Sequence, residues 1–306
     1  MTDRETTITG GPEGSGPLRW MLTLMKEEPA NVQDQVSSLL REGLAVHEEA
    51  ENLCFEALAA LLDRLDVDAD EETITVLAAQ FLDAASASRS LLAQGRVRAC
   101  MSQIRAMVES FAVMLYVRGQ PERAHAWHDA QSAPERREFS FGQIKDEIAE
   151  GEHWKGVWDL CNEVVHTNRG AMPAQMRPRL VEGFDLYVGP FFDPGPLAGF
   201  FGLSFLVVLR LAESIGEWYT NELALPKDYH ARLQGLIAGY QEFESELSQR
   251  AQEFEAKLKE SYGALDLREQ LWARLYLDAR YDAWRRSIEE SVAASDRPTG
   301  ASEGST

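Results

Sequence analysis

The stretch that decides the fold is residues 97–117, which read Val-Arg-Ala-Cys-Met-Ser-Gln-Ile-Arg-Ala-Met-Val-Glu-Ser-Phe-Ala-Val-Met-Leu-Tyr-Val. Its apolar residues recur at spacings of four, three, four, three and four, and they are Val97, Met101, Ile104, Val108, Phe111 and Leu115. These spacings place all six on one face of an α-helix. Gly119 and Pro121 follow, an order typical of a helix end. The pattern predicts an amphipathic helix that buries one face.

Helical periodicity of this kind recurs along most of the chain, and we find no convincing strand-like alternation. It predicts short helical pieces between residues 121 and 150 and longer helices at about 32–64, 70–93, 153–166, 196–219, 227–262 and 266–292. The predicted fold class is therefore all-α, a helical bundle with a long C-terminal helical hairpin.

The domain organisation follows from where this periodicity begins and ends. Residues 1–30 are expected to be mostly disordered and residues 293–306 to form a disordered tail, because both ends are rich in small and polar residues. We expect the bundle domain at residues 31–225. Residues 226–292 are expected to form a C-terminal helical hairpin or coiled-coil arm.

The predicted arm carries a heptad-like apolar rhythm that Glu244 interrupts, at Leu233, Ile237, Tyr240, Leu247, Ala251, Phe254 and Leu258. Two interpretations remain open for it. In one, the helices pack on their own domain. In the other, they form a homodimer.

Composition restricts the partners and the compartment. Asp and Glu number 50 against 30 Lys and Arg, a formal net charge of −20. Such a surface disfavours RNA, whose phosphates are bound through Lys and Arg. The longest apolar stretch, residues 195–209, is shorter than the roughly 20 residues of a membrane span, so we expect a buried helix and no membrane. Three scattered cysteines and a polar N-terminus predict a cytoplasmic protein.

Polar residues flank the apolar stripes of two predicted helices. In the helix at 97–117, Arg105 and Glu109 are four residues apart on one flank and can form an ion pair. In the helix at 153–166, Asp159, Asn162 and His166 share a flank of the stripe. If the two helices pack together, the polar groups meet. They would form either a hydrogen-bonded network that fixes helix register or a catalytic or ligand-binding site.

Three short runs carry a resemblance to known proteins: Ile-Arg-Ala-Met-Val-Glu-Ser-Phe at 104–111, Arg-Gly-Gln-Pro-Glu-Arg-Ala at 118–124 and Leu-Cys-Asn-Glu-Val-Val-His at 160–166. They resemble a family of uncharacterised bacterial helical proteins with an Arg-x-x-x-Glu helix, a Pro-Glu after a short loop and a Leu-Ser-x-x-Val-His element. The resemblance covers roughly residues 80–220. Such proteins are in turn similar to the HEPN superfamily (higher eukaryotes and prokaryotes nucleotide-binding).

Many HEPN proteins are metal-independent ribonucleases with an Arg, a polar residue, three variable residues and a His. Asn162 and His166 match that motif, whereas Cys161 stands in place of the Arg. The resemblance implies that His166 moves a proton while an arginine stabilises the phosphorane charge. A thiol cannot replace that guanidinium, so Arg105 or Arg169 would have to supply the charge. We therefore expect a HEPN-like binding or interaction module of a bacterial defence or stress system, with ribonuclease as the alternative.

A second alternative is a di-metal carboxylate protein. Two Glu-x-x-His pairs, at 122–125 and 163–166, would bind the metals together with Glu109 and Glu147. Against it, Glu163 points away from the apolar stripe, so we predict no metal and no cofactor. His47, His153 and His230 are isolated and are interpreted as surface or capping residues.

Overall fold

The computed structural model describes residues 7–8, 22–25, 28–63, 68–165, 176–178, 184–187, 189–190, 192, 194–219, 223 and 225–262. This part of the chain is an all-α helical bundle, as the sequence predicts. Its helices are α1 (Pro29–Leu62), α2 (Ala69–Ala93), α3 (Val97–Val117), α4 (Pro121–Asp129), α5 (Ala133–Glu138), α6 (Phe141–Ile144), α7 (Gly151–Val165), α8 (Pro194–Trp218) and α9 (Tyr229–Tyr262). A 3₁₀ turn, Lys145–Glu147, follows α6.

The bundle is arranged around the apolar helix α8. This helix packs against α1, α2, α3 and α9, while α1 packs on α2, α2 on α3 and α3 on α7. Phe201 and Phe205 of α8 are almost fully buried among these helices. By length and composition alone, Leu197–Trp218 is long and apolar enough to cross a membrane. However, 72% of its most apolar segment is buried inside the protein.

The first turn of α2 caps its own helix and also binds the backbone that follows α3. Asp68 caps α2 in a capping box, in which its backbone N–H donates to Glu71 at 3.1 Å. After α3, Gly119 adopts φ +64°, a conformation that favours glycine. Its N–H donates to the carboxylate of Asp70 at 2.8 Å. This bond ties the two helices together and positions α3.

Within the described residues, four short strands that the sequence did not predict accompany the helices: β1 (Thr7–Ile8), β2 (Leu22–Met25), β3 (Met176–Pro178) and β4 (Phe184–Tyr187). They form one sheet in the order β1-β2-β4-β3, in which β2 and β4 are parallel and the other pairs antiparallel. Two of them lie in residues 1–30, for which disorder was expected. Strands of two to four residues are too short to show alternation, and their partners are far away in sequence.

Helix α9, the described part of the predicted arm, packs on α1 and α8. Arg232 donates to Glu49 at 2.9 Å and to Glu56 at 2.8 Å. The Tyr229 hydroxyl donates to the carbonyl of Ala212 on α8 at 2.7 Å. The predicted second helix of the hairpin, residues 266–292, lies outside the described residues.

Candidate functional site

The candidate site lies where α7 packs against α3. The rings of Phe111 and Trp154 meet edge to face with centroids 5.1 Å apart. At the other end of the contact, Arg98 Nη2 donates to the carbonyl of Val165 at 3.2 Å. The end of α3 thus meets the start of α7, and the start of α3 meets the end of α7. The two helices are antiparallel, and their predicted polar flanks face each other.

Arg105 and Glu109 form the predicted ion pair at the centre of this contact. Arg105 Nε donates to Glu109 Oε1 at 3.0 Å, and the indole N–H of Trp158 donates to the same oxygen at 3.1 Å. The Arg105 guanidinium also lies 5.4 Å from the centroid of the Trp158 ring. The ring of Phe141 stacks on Trp158 with centroids 5.4 Å apart. Trp158 is therefore held by a carboxylate, a guanidinium and a second ring.

Asn162 lies one turn beyond Trp158 on the same helix. Because the helices are antiparallel, it stands between the levels at which Arg98 and Arg105 reach α7. Its side-chain oxygen Oδ1 is buried and has no hydrogen-bond partner. A buried polar atom without a partner costs about 1–3 kcal/mol. Asn162 shares this property with Trp154, whose indole Nε1 is likewise buried and unpaired, and packing alone does not explain either polar group.

Of the predicted site residues that remain, the structure describes Asp159 but not His166 or Arg169. The Asp159 carboxylate accepts a hydrogen bond at 2.8 Å from Lys155 of its own helix. His166 and Arg169 lie outside the described residues, as does the side chain of Glu163. Arg105 and Glu109 thus meet α7 through Trp158, whereas Asn162 Oδ1 has no partner and the predicted contact with His166 stays a prediction.

Cys161, at the position of the HEPN arginine, is completely buried. Burial raises the pKa of its thiol well above the usual range, and the nearby Cys100 thiol adds to this effect. The thiol is therefore neutral and lies within the bundle rather than on the flank that carries Arg105. It contributes packing and no positive charge.

A second polar cluster, which the sequence did not predict, lies in the core. His47 was interpreted as a surface or capping residue, and this was wrong because its side chain is fully buried. Its Nδ1 lies 2.8 Å from Glu51 Oε1 and its Nε2 lies 2.9 Å from Ser204 Oγ. Among the other two, His153 is half-buried against Trp154, whereas His230 is exposed.

The chain of hydrogen bonds continues on both sides of His47. Ser204 Oγ lies 2.8 Å from Ser88 Oγ, which lies 3.2 Å from the sulfur of Cys100. At the other end, Arg89 Nε donates to Glu51 Oε1 at 2.8 Å. The cluster therefore links α1, α2, α3 and α8 through side chains of complementary polarity.

Serine, histidine and carboxylate in this order also form the catalytic triad of many hydrolases. Here, however, Ser204 and His47 are both completely buried, and a nucleophile must reach its substrate. The rings of Phe201 and Phe205 lie about 6 Å from the imidazole. We therefore assign the cluster to the core, where it fixes the register of four helices.

A signal for the burial of His47 is present in the sequence. Val32, Val36, Leu40, Gly43, His47, Ala50 and Cys54 follow one another at spacings of three or four, and all are buried. The histidine thus occupies a position of the apolar stripe of α1. Periodicity identifies it as a core residue, although residue type alone suggests a surface position.

The residues proposed for a di-metal centre are engaged elsewhere. Glu109 bonds Arg105 and Trp158, and Glu147 bonds Arg123 at 2.9 Å. His125 is exposed. Within the described residues, no group of three or more His, Cys, Asp or Glu side chains is assembled in a way that would hold a metal.

Comparison with known proteins found no matching family model, no matching curated protein and no matching solved structure. The resemblance to the HEPN superfamily therefore stays a prediction.

Proposed function

We propose that this chain is a non-catalytic helical binding module that recognises a protein partner through its α3–α7 flank. The α3–α7 flank is defined by Arg98, Arg105, Glu109, Trp158 and Asn162. The unpaired, buried Oδ1 of Asn162 is the observation that carries the proposal. The oxygen is enclosed, but Asn162 as a residue is only partly buried, so a rotation of the amide would present this oxygen to a partner that donates a hydrogen bond. That bond would remove the cost that the isolated chain carries.

The side chains around Asn162 suit a protein–protein interface. Tryptophan and arginine are the residues that most often dominate binding energy, especially where they are already held in place. Trp158 is only partly buried, and its orientation is fixed by Glu109 and Phe141. Little side-chain entropy is then lost when a partner covers it.

The charges of the flank favour a protein over a nucleic acid. Arg105 is paired with Glu109, and the neighbouring Lys155 is paired with Asp159. Phosphate backbones are bound by uncompensated cations, whose counterions are released on binding. A surface of paired charges around an aromatic ring offers few such cations. The overall net charge of −20 adds to this argument.

The ribonuclease alternative depends on His166 and Arg169, which lie outside the described residues. The buried, neutral thiol of Cys161 supports a binding role instead, because this position of α7 supplies no guanidinium to a phosphorane. A bacterial defence or stress system remains the context that the resemblance implies.

The replacement Asn162→Leu separates a binding role from a structural one. Leucine has a similar volume and leaves no unsatisfied polar atom, so we expect the free energy of unfolding to rise by about 1 kcal/mol. Binding should be lost, because the hydrogen-bond acceptor is gone. Urea denaturation gives the stability. A lower stability for Asn162→Leu would mean that the amide is structural and would contradict the proposal.

Binding is measured by affinity capture from a lysate of the organism that carries the gene, with quantitative mass spectrometry. We expect one or a few proteins that the wild type enriches and that Asn162→Leu and Trp158→Ala both lose. Trp127→Ala is the matched control, because Trp127 is also partly buried but lies on α4, outside the flank. Equal capture by all variants, or capture of RNA in place of protein, would refute the proposed function.

A further inference from the structure

A second surface exposes large apolar side chains on the outside of α1. Phe55 is 64% exposed and Leu62 is 63% exposed, far more than most residues of their size in the described part of the chain. Val76 on α2 is the other described large hydrophobic that is exposed, at 38%. Phe55 and Leu62 are seven residues apart, two turns of the helix, and therefore lie on one face.

Hydrogen bonds show which way this face points. Glu48, Glu51, Phe55 and Leu62 follow one another at spacings of three, four and seven, so they form one row along α1. Arg89 of α2 bonds both Glu48 and Glu51. The row is thus the edge of α1 that faces α2.

The facing edge of α2 is found in the same way. Thr75, Leu82 and Arg89 are spaced by seven and share one edge, which Arg89 turns toward α1. Because the two helices are antiparallel neighbours joined by a short connection, Leu82 and Thr75 lie on the edge of α2 that runs alongside Phe55 and Leu62. Leu82 and Thr75 are both partly buried. We call the surface formed by these four residues the α1–α2 groove.

The surroundings of the α1–α2 groove are strongly acidic. Residues 42–63 and 68–88 contain 11 Asp and Glu and no Lys or Arg, although Glu49 and Glu56 bond Arg232 on the opposite edge of α1. Glu48, Asp63, Glu72 and Asp83 are exposed on the two helices. Arg89, the cation that reaches the groove from further along α2, is occupied by Glu48 and Glu51. The α1–α2 groove therefore combines exposed apolar side chains with a negative rim.

We propose that the α1–α2 groove docks a cationic amphipathic helix of a partner protein. Such a helix would bury its apolar stripe on Phe55, Leu62 and Leu82 and place its Lys and Arg against the acidic rim. A second copy of this chain is a poor occupant, because two negative rims would face each other. The proposal goes beyond the binding function proposed for the α3–α7 flank, since the two surfaces share no residue.

A fluorescein-labelled peptide of leucine and lysine, with leucines at helical positions i, i+3, i+4 and i+7, is the probe. Fluorescence anisotropy at physiological salt measures its dissociation constant for the full-length protein. Any cationic peptide is attracted to a protein of net charge −20, so a scrambled peptide of identical composition serves as reference. We expect the amphipathic peptide to bind about tenfold more tightly than the scrambled one, a difference of about 1.4 kcal/mol.

The site is tested by Phe55→Asp and Leu62→Asp, with Val76→Asp as matched control. All three introduce the same charge at an exposed apolar position, so folding should persist, and circular dichroism checks this. We expect the first two to remove the tenfold preference and Val76→Asp to preserve it. No preference in the wild type, or equal loss in all three variants, overturns the proposal. So does a halved mass of Phe55→Asp in light scattering, which would make the groove a self-association surface.

Discussion

At the scale of single residues, the Glu51 carboxylate is the charged group of the core cluster whose ionisation matters most. Its side chain is 11% exposed and accepts hydrogen bonds from Arg89 and from His47. Burial by itself raises the pKa of this carboxyl, but the hydrogen bonds from His47 and Arg89 outweigh burial and hold the pKa below its ordinary value. The folded state therefore favours the ionised form.

This lowered pKa predicts a pH dependence of stability. A carboxylate whose pKa is lower in the folded state stabilises the protein above its unfolded pKa, near 4.3. The contribution is lost as the pH falls through the folded pKa. Glu51→Gln should thus reduce the free energy of unfolding at pH 7, and its difference from the wild type should shrink as the pH falls below about 5. Urea denaturation between pH 7 and pH 3 measures both quantities.

Glu48→Gln is the control for this experiment. Glu48 contacts the same arginine at 3.5 Å, but its side chain is 58% exposed. Exposed ion pairs contribute little, so this variant should follow the wild type at every pH. A constant difference between Glu51→Gln and the wild type across the range would show that Glu51 acts through packing and not through its charge.

Single residues also show which contacts of the site could be predicted from the sequence and which could not. The pair Arg105 and Glu109 was predictable, because a spacing of four sets two side chains side by side on any helix. Their contact with Trp158 required the packing of α3 on α7, which sequence spacing does not determine. The His47–Ser204 bond joins positions 157 residues apart, and only the fold brings such positions together.

At the scale of elements, helix bounds were the most predictable feature. Residues 97–117 form α3 with the predicted ends, because a clean apolar period precedes a glycine and a proline. The four strands were not predictable, since each depends on a partner elsewhere in the chain and is too short to show alternation. The packing of α9 on α1 was one of two interpretations left open, since a heptad rhythm suits both a neighbouring helix and a second chain.

The contact between α1 and α9 depends on the absence of a side chain at Gly43. A Cβ atom added there would lie 2.5 Å from the ring of Phe243 and 2.8 Å from that of Phe201. Gly43→Ala should therefore lower the free energy of unfolding by about 1–3 kcal/mol through overpacking, although alanine favours helices. Thermal or urea denaturation measures the effect.

Gly235→Ala and Gly239→Ala provide the opposite control on α9. Nothing lies within 4 Å of a Cβ added at either position. Alanine is the better helix former, so each change should raise the free energy of unfolding by up to about 1 kcal/mol. If Gly43→Ala were also stabilising, the close approach of α9 to α1 would be wrong.

At the scale of the whole molecule, the bundle is closed around α8. The burial of its three cysteines shows how well the interior is shielded from solvent. Cys54, Cys100 and Cys161 belong to α1, α3 and α7, and each is completely buried. Burial raises the pKa of all three thiols, that of Cys100 to about 12. Because the thiolate is the reactive form, each thiol is both inaccessible and protonated in the folded protein.

We therefore expect the native protein to react only slowly with a thiol-specific reagent such as dithionitrobenzoate, and all three thiols to react at once in guanidinium. Ala79→Cys, which places a thiol on the exposed face of α2, should react immediately without denaturant. If the bundle opens as one cooperative unit, the three native thiols will be modified at a common rate. Faster modification of Cys161 alone would instead show that α7 detaches from α3 by itself, and the α3–α7 flank would then be the part of the bundle that opens first.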